Sequence, residues 1–503
     1  MALSKAAACL TVALILATAG PGSAQFAPQS TPQSVPAQTP PQAPPVAQPK
    51  PEPAPPPSPR QRPTKRSPRT SKRQPSPSGQ GSFDATRTSR DGGPTRQELT
   101  FTANVLGGYD DNLTAGLGTG SGTAPASMAS GSGAFLDGTL GYFRGNALHS
   151  IRTDSTGSLT AYPGYLDHPA PGGVVNVDAR TTVGRNWTIG ASERVGYEPL
   201  FNVLSPGASG TPLPPGIGEA VPATGLFERQ SWSSNTSASI DRRWSREDST
   251  ALSYSYRVQQ FTDDDYGDNS SHRVTADCWR SLSPGFRAGA KYRYENGEYI
   301  DSAEFPRPML QHRIEGGAET DSALSRRRHL MLSLAAGAGY IQSIGSTTRE
   351  PYRAWVPTGS GSLILGLSPT SSVEGGYQRD FSLFQGVTDE VYTTDTAYLT
   401  TGGFVTSRTD LRVGATYSNW KTPVASGVND TLNVYGAWLQ VRVALTETVA
   451  ATAGYYYYHQ RYSNPADLPD GFPAEYNRNA VRVGLTVWVP LAGTPSRPPL
   501  TQR

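Results

Sequence analysis

Residues 282–295 read LSPGFRAGAKYRYE, a tight turn followed by ten residues of regular alternation. One alternate set is small or apolar, and the other carries the charged residues Arg287, Lys291, Arg293 and Glu295. Successive side chains of a strand point to opposite faces, so this segment predicts a strand with one apolar face and one wet face. The Pro-Gly pair before it has the composition of a β-turn.

The same alternation recurs from residue 97 to residue 490, for example over 251–260 and 410–418. Short polar breaks interrupt it near 144–146, 184–186, 245–248, 282–285, 325–328, 367–370, 407–410 and 445–448. Between them lie longer breaks near 107–132, 157–173, 198–228, 262–270, 296–310, 343–352, 384–392, 420–430 and 461–476. Eight short and nine long connections predict eighteen strands, with sixteen as the alternative count.

This pattern predicts an all-β protein, a transmembrane antiparallel up-and-down β-barrel of 16–18 strands. Short turns at one end and long loops at the other are typical of barrels in the outer membrane of Gram-negative bacteria. A soluble β-sandwich also alternates, but it seldom needs so many long strands in one run. After the first twenty residues, no segment is apolar enough for a helix that spans a membrane.

The two ends of the chain differ from the alternating region. Residues 1–24 have a lysine, an apolar stretch and small residues before Gln25, which predicts a signal peptide and export from the cytoplasm. Residues 25–96 include the proline-rich run PAQTPPQAPPVAQPKPEPAPPPSP at 36–59 and predict a disordered periplasmic tether. Residues 491–503 are predicted to form a periplasmic tail, because Pro490 should end the hydrogen-bond ladder.

Charge separates the tether from the predicted barrel. Residues 1–96 carry 12 of the 44 basic and 3 of the 41 acidic residues, which leaves 32 and 38 for residues 97–503. The basic run is most simply a solvated linker, and the alternative is a contact with peptidoglycan, polysaccharide or a partner protein. Outer-membrane lipid and lipopolysaccharide are the expected surroundings of the barrel, and a role in nucleic-acid binding makes little sense for an exported chain.

The last strand resembles the C-terminal signal by which the barrel assembly machinery recognises its clients. The residues that carry this resemblance are Arg482, Gly484, Val487 and Val489. Two features depart from the usual signal, since a terminal aromatic residue is missing and a tail follows the strand.

The first strand carries a family resemblance. LTFTANVLGGYDDNL, residues 99–113, runs into Gly108-Tyr109-Asp110-Asp111-Asn112 and resembles the opening of the "putative beta-barrel porin 2" group. The resemblance implies an outer-membrane barrel, tied in that group to exopolysaccharide or capsule production. It supplies no catalytic residues.

The charged sides of the middle strands are predicted to face a water-filled lumen. The lumen-lining candidates are Arg257, Arg273, Asp277, Arg287, Lys291, Arg293, Glu295, Arg313, Glu315, Glu319 and Asp321. They predict either a polar constriction that filters solutes in a porin-like channel, or side chains that simply pair across strands.

Other functions stay open at this point. A non-conducting structural barrel or a surface-loop adhesin is the alternative to a channel. An outer-membrane hydrolase is less favoured, because none of the six histidines lies in a recognisable catalytic motif. His and Cys show no metal-ligand spacing, so we predict no cofactor, no metal and no enzyme activity. Cys278 is the one cysteine left after signal cleavage, which excludes an intramolecular disulfide in the mature chain.

Overall fold

The computed structural model describes residues 96–493. Within that range it leaves out residues 113–129, 147, 164–168, 199–229, 263–267, 301–305, 326–327, 344–351, 369, 384–390, 422–430 and 464–474. The predicted signal peptide, nearly all of the predicted tether and the end of the predicted tail lie outside the described residues. In the described part of the chain, no helix is long and apolar enough to cross a bilayer.

Eighteen strands make up this part of the chain. Their bounds are β1 Arg96–Asp110, β2 Gly131–Gly145, β3 His149–Ala161, β4 Ala170–Val183, β5 Trp187–Glu198, β6 Ser231–Arg243, β7 Asp248–Phe261, β8 Asn269–Ser283, β9 Phe286–Ile300, β10 Pro306–Ala323, β11 His329–Ser343, β12 Tyr352–Ser368, β13 Ser371–Leu383, β14 Val391–Phe404, β15 Thr409–Lys421, β16 Thr431–Ala444, β17 Val449–Tyr462 and β18 Glu475–Gly493.

Each strand pairs antiparallel with its neighbours in the chain, and β1 also pairs with β18. The sheet is therefore a closed barrel without a free edge, which confirms the predicted fold class and the count of eighteen. At one end Arg96 pairs with Gly145, and Glu98 pairs with Gly493, so both described chain ends lie at the same end of the barrel. We call it the short-turn end and the opposite one the loop end.

The strands are longer than the alternation predicts. The predicted break at 296–310 narrows to 301–305, because β9 continues to Ile300 and β10 begins at Pro306. Asn296 pairs with Leu310 in this extension. Backbone pairing does not require an apolar side chain, so the ladder continues where the apolar/polar pattern has faded.

The prediction that the ladder ends at Pro490 is wrong. β18 continues to Gly493, and Pro490 pairs with Thr100 of β1 beside an irregularity in the register. The described pairing of β18 with β17 ends earlier, at Val487 opposite Val449. Proline is tolerated there because a strand paired on one side, next to a bulge, does not need its missing N–H.

The two faces of the barrel can be told apart by what they contact. Most exposed large apolar side chains follow one alternate set, as Phe101, Val105 and Tyr109 do in β1. Side chains of the other set reach past the neighbouring strand. Tyr162, the residue after β3, bonds to Asp110 of β1, and Arg313 of β10 bonds to Asp380 of β13. Such contacts are within reach only on the concave side, so the polar set faces the interior.

Candidate functional site

A patch of charged side chains lies on the interior of β8, β9 and β10. In the ladder Arg273 pairs with Glu295, and Arg293 pairs with Arg313. We call this patch the charged row and define it as Arg273, Asp277, Lys291, Arg293, Glu295, Arg313 and Glu315. The row also contains two acids, Asp277 on β8 and Glu315 on β10, and Lys291 is the cross-strand partner of both. Because these pairs lie near the middle of β9, the row crosses the wall at about half its height.

Within the row and beside it, the arginine is the water-facing member of each half-exposed ion pair. Arg273 makes two hydrogen bonds to Glu295, of 2.9 and 3.0 Å. The Arg273 side chain is 43% exposed and that of Glu295 only 11%. Arg287 pairs with Glu319 in the same way, with 52% against 30% exposed. The guanidinium groups of Arg273 and Arg287 are therefore more exposed toward the interior than the carboxylates that they bind.

Arg313 is the buried exception in the row. Its guanidinium binds Glu315 on its own strand and lies 2.6 Å from Asp380 of β13. Only 7% of the Arg313 side chain is exposed. Two carboxylates around one buried guanidinium provide the compensation that a buried charge needs, and they link β10 to a strand three positions away.

All the lumen-lining candidates lie on the interior alternate set. Besides the row and the Arg287–Glu319 pair, these are Arg257, opposite Asn235 and Ser271, and Asp321, which binds His329 near the short-turn end. Cross-strand pairing, the simpler of the two expectations, occurs at several of them. A role in solute passage stays a prediction.

An apolar layer lies next to the row on the side of the loop end. Met309, Ile341, Val356 and Phe381 are buried together there. The described pairing of β12 with β13 ends at Gly359 opposite Arg379, so Phe381 lies beyond it. A Cβ at Gly339, the ladder partner of Arg313, would lie 2.1 Å from the Phe381 ring. Only glycine allows this ring to cover the wall beside the row.

A second charged group lies at the loop end, where β1 meets β18. Asp110 accepts hydrogen bonds from Arg478 (3.0 Å), Arg482 (2.8 Å) and the Tyr162 hydroxyl (2.8 Å). Arg482 also donates to the Tyr162 oxygen at 3.0 Å, and its guanidinium lies 3.8 Å from the centre of the Phe135 ring. We call Asp110, Tyr162, Arg478 and Arg482 the seam cluster. Asp110 has no exposed surface, and the other three are nearly as buried.

The next two residues of the chain extend this contact with β18. The Asp111 carboxylate accepts hydrogen bonds from the backbone N–H and the side-chain amide of Asn479, both at 2.6 Å. Asn112 donates from its side-chain amide to the carbonyl oxygen of Asn477 at 2.8 Å. Three consecutive residues of the first strand and its end therefore all bind the last strand.

Sequence reasoning found two of the four members of the seam cluster but not their contact. Asp110 stood out in the family motif and Arg482 in the assembly signal, and the two are 372 positions apart. Arg478 and Tyr162 were missed. Arg478 and Arg482 lie in the same strand an even number of residues apart, so both side chains belong to the interior alternate set. This spacing was the available signal.

Carboxylates also lie on the outward alternate set, as Glu193 of β5 and Asp395 of β14 do. Glu193 belongs to the alternate set that holds Ile189 and Val195, and it accepts hydrogen bonds from Ser234 (2.8 Å) and Thr236 of β6. Two hydroxyl donors satisfy the Glu193 carboxylate, as a polar group among apolar side chains requires.

Comparisons with known proteins give distant structural similarity only. No protein-family model matches the chain, and no curated protein matches it. It is similar to OpdL from Pseudomonas aeruginosa, with a TM-score of 0.41, 11% identity, and coverage of 79% of this chain and 99% of that one. It is also similar to the ferric-catecholate import receptor Fiu from E. coli K12, with a TM-score of 0.39, 9% identity, and coverage of 78% and 81%.

A third similar structure is the alcaligin outer-membrane receptor FauA from Bordetella pertussis. Its TM-score is 0.37 at 9% identity, with coverage of 80% of this chain and 76% of that one. Scores this low carry no argument about what this chain does. The resemblance of residues 99–113 to a porin group is not confirmed, and the fold stands on the strand pairing of the chain itself.

Proposed function

We propose that the chain forms a porin-like channel in the outer membrane. The observation that carries the proposal is the closed eighteen-strand wall with apolar side chains exposed outside and charged side chains inside. Barrels of sixteen to eighteen strands are wide enough to enclose an aqueous path unless a segment fills it. An apolar outer surface of this extent is unfavourable in water and favourable in lipid.

The charged row is the proposed filter of this channel. It lies at about half the height of the wall, and Arg273 and Arg287 present their guanidinium groups to the interior. Charges that border a narrow aqueous path act on passing ions more strongly than charges on an open surface. The row would therefore discriminate among solutes by charge as well as by size.

The location follows from the same proposal. Residues 1–24 would direct export, the barrel assembly machinery would insert residues 97–490, and the basic tether would remain in the periplasm. Outer-membrane lipid and lipopolysaccharide would then surround the apolar face.

Planar-bilayer recording tests the channel directly. The mature protein, purified as a folded heat-modifiable barrel, is expected to give stepwise increases in ion conductance. The same protein unfolded before addition is the control and should give none. Folded, inserted protein that never conducts would contradict the proposal.

A non-conducting structural barrel is the second candidate, and one observation favours it. The interior side chains of β14–β17 include a group of buried aromatic residues, Tyr392, Trp420, Tyr456, Tyr458 and Tyr462. These aromatic side chains have little exposed surface, whereas Arg273 of the charged row is half-exposed. An inserted barrel without conductance would support this candidate.

A finer proposal is that the channel serves surface polysaccharide traffic. Its support is the resemblance of the first strand to a porin group tied to exopolysaccharide production, together with the exposed guanidinium groups, which would attract an anionic polymer. In the bilayer assay, dextran sulfate is expected to block the current at concentrations where neutral dextran of the same length does not. Equal block by both polymers would contradict a charge-guided path.

A further inference from the structure

The contact between the first and last strands differs from every other strand pair in one respect. The other seventeen pairs are consecutive in the chain, so the connection between them limits their register. β1 and β18 have no such connection, and their register has to come from side chains. We infer that residues 108–112 set the register of β1 against β18 when the barrel closes.

Asp110 makes the largest contribution to fixing the register of β1 against β18. Its carboxylate is fully buried between Arg478 and Arg482 and accepts a hydrogen bond from the hydroxyl of Tyr162, the residue after β3. A strand rises about 3.4 Å per residue, so a slip of two residues moves each arginine by about 7 Å. Asp110 pairs with Ala480 in the ladder, so this slip brings one arginine directly opposite Asp110 and moves the other to a position four residues away. One of the two ion pairs is then broken, and a buried guanidinium is left without its anion, which is strongly unfavourable.

Asp111 and Asn112 disfavour the other registers of β18 against β1. Asp111 binds the backbone N–H of Asn479 as well as its side chain, and Asn112 binds the carbonyl oxygen of Asn477. A slip of one residue would turn every side chain of β18 to the other face. It would also move Asn479 away from Asp111, so consecutive residues of the motif reject odd and even slips.

Gly108 makes room for the arginine that completes the cluster. A Cβ at this position would lie 2.5 Å from the carbonyl oxygen of Val481 and 2.6 Å from Nη1 of Arg482. Without a side chain at 108, the Arg482 guanidinium passes β1 and reaches Asp110. Gly108, Asp110, Asp111 and Asn112 therefore contribute to one contact, which gives the motif a role independent of what the channel carries.

Register-specific cross-linking tests the inference on the full mature chain carrying Cys278→Ser. Ala103 and Val487 are native partners, so cysteines at both positions report the native register. Cysteines at Ala103 with Leu485, or at Ala103 with Val489, report slips of two residues in either direction. A thiol-specific cross-linker is expected to join only the native pair when Asp110 is intact, and to join slipped pairs at the expense of the native pair in Asp110→Asn.

Glu98→Gln is the matched control. Glu98 is also a buried carboxylate of β1, but its arginine partner, Arg96, lies on the same strand. Loss of the Glu98 charge therefore breaks no ion pair between β1 and β18. This variant should keep the native cross-link.

Asp111→Ala covers the case in which Asp110→Asn yields no folded barrel. It removes two hydrogen bonds without leaving a buried charge, and it should also raise the slipped products. Folded Asp110→Asn and Asp111→Ala proteins that give only the native cross-link, with lower stability as the sole change, would overturn the inference. This outcome is independent of conductance, so it is distinguishable from failure of the channel proposal.

Discussion

The seam cluster and the charged row use the same chemistry in opposite ways. Both bring arginines to carboxylates on the interior of the barrel. In the seam cluster, Asp110 is enclosed by two guanidinium groups and has no exposed surface. In the row, Arg273 remains 43% exposed beside Glu295.

The difference shows how burial decides what an ion pair contributes. A buried pair that loses one partner leaves an uncompensated charge, whereas an exposed pair contributes little to stability because water screens it. If the barrel conducts as proposed, the exposed pair keeps its electric field where a solute can meet it. We therefore expect the seam cluster to govern assembly and stability, and the row to govern the passage of ions.

The largest expected effect is on stability, and it comes from removing the carboxylate of the seam cluster. Removing one carboxylate of the charged row is the comparison. Asp110→Asn should lower the free energy of unfolding by about 3–5 kcal/mol, because Arg478 and Arg482 stay buried without their anion. Glu295→Gln should lower it by about 0–1 kcal/mol, because Arg273 can turn to water. Urea titration of the folded protein in lipid vesicles measures both, and similar losses in the two variants would remove the distinction.

A pair of neighbouring glycines tests the seam without changing any charge. Gly108→Ala should destabilise the barrel by about 1–3 kcal/mol, since its Cβ would overlap Val481 and Arg482. Gly107→Ala is the control, because a Cβ there meets nothing within 4 Å. The same urea titration should show little change for it. Equal stability of both variants would mean that close approach at 108 is unimportant.

Removing the covered carboxylate of the row should change ion selectivity. In Glu295→Gln, Arg273 loses its counter-charge and the interior becomes more positive. The reversal potential in a salt gradient should then shift toward anions, with about a twofold change in the permeability ratio, as about 0.5 kcal/mol from an exposed pair implies. An unchanged reversal potential in a conducting barrel would show that ions do not pass the row.

The smallest effect is expected from Lys291→Gln. Lys291 faces Asp277 and Glu315 across the ladder, so its loss makes the row more negative. The reversal potential should shift toward cations by no more than about twofold in permeability ratio. Stability should stay within about 0.5 kcal/mol of the parent. A shift in the same direction as that of Glu295→Gln would contradict a purely electrostatic filter.

The sequence predicts the barrel well because alternation and turns are local properties. LSPG at 282–285 and the strand after it predict a turn and a wet face from a few adjacent residues, and the structure has both. Strand ends were less predictable, as at Asn296–Ile300, because continued pairing depends on the neighbouring strand. The path beyond Pro490 was missed for the same reason, since it depends on β1.

The sequence predicts that the charged residues belong to the interior alternate set, but it does not predict which residues they pair with. Arg313 lies beside Glu315 on its own strand, yet its contact with Asp380 depends on the curvature of the wall between β10 and β13. The seam cluster joins residues of the first and last strands with Tyr162, the residue after β3. Alternation assigns each of them to a face and contains no information about which strand will close on which.

The position of both described chain ends at the short-turn end has a consequence for protein engineering. Because the wall is continuous from β18 to β1, a peptide linker could join these ends, and new termini could be opened in the two-residue turn at Pro284-Gly285. In such a circular permutant the former seam becomes an ordinary hairpin, tethered by its linker. The burden of finding the correct partner would then pass to β8 and β9, where the Glu295 carboxylate has one half-exposed arginine partner, Arg273, instead of the two buried guanidinium groups around Asp110.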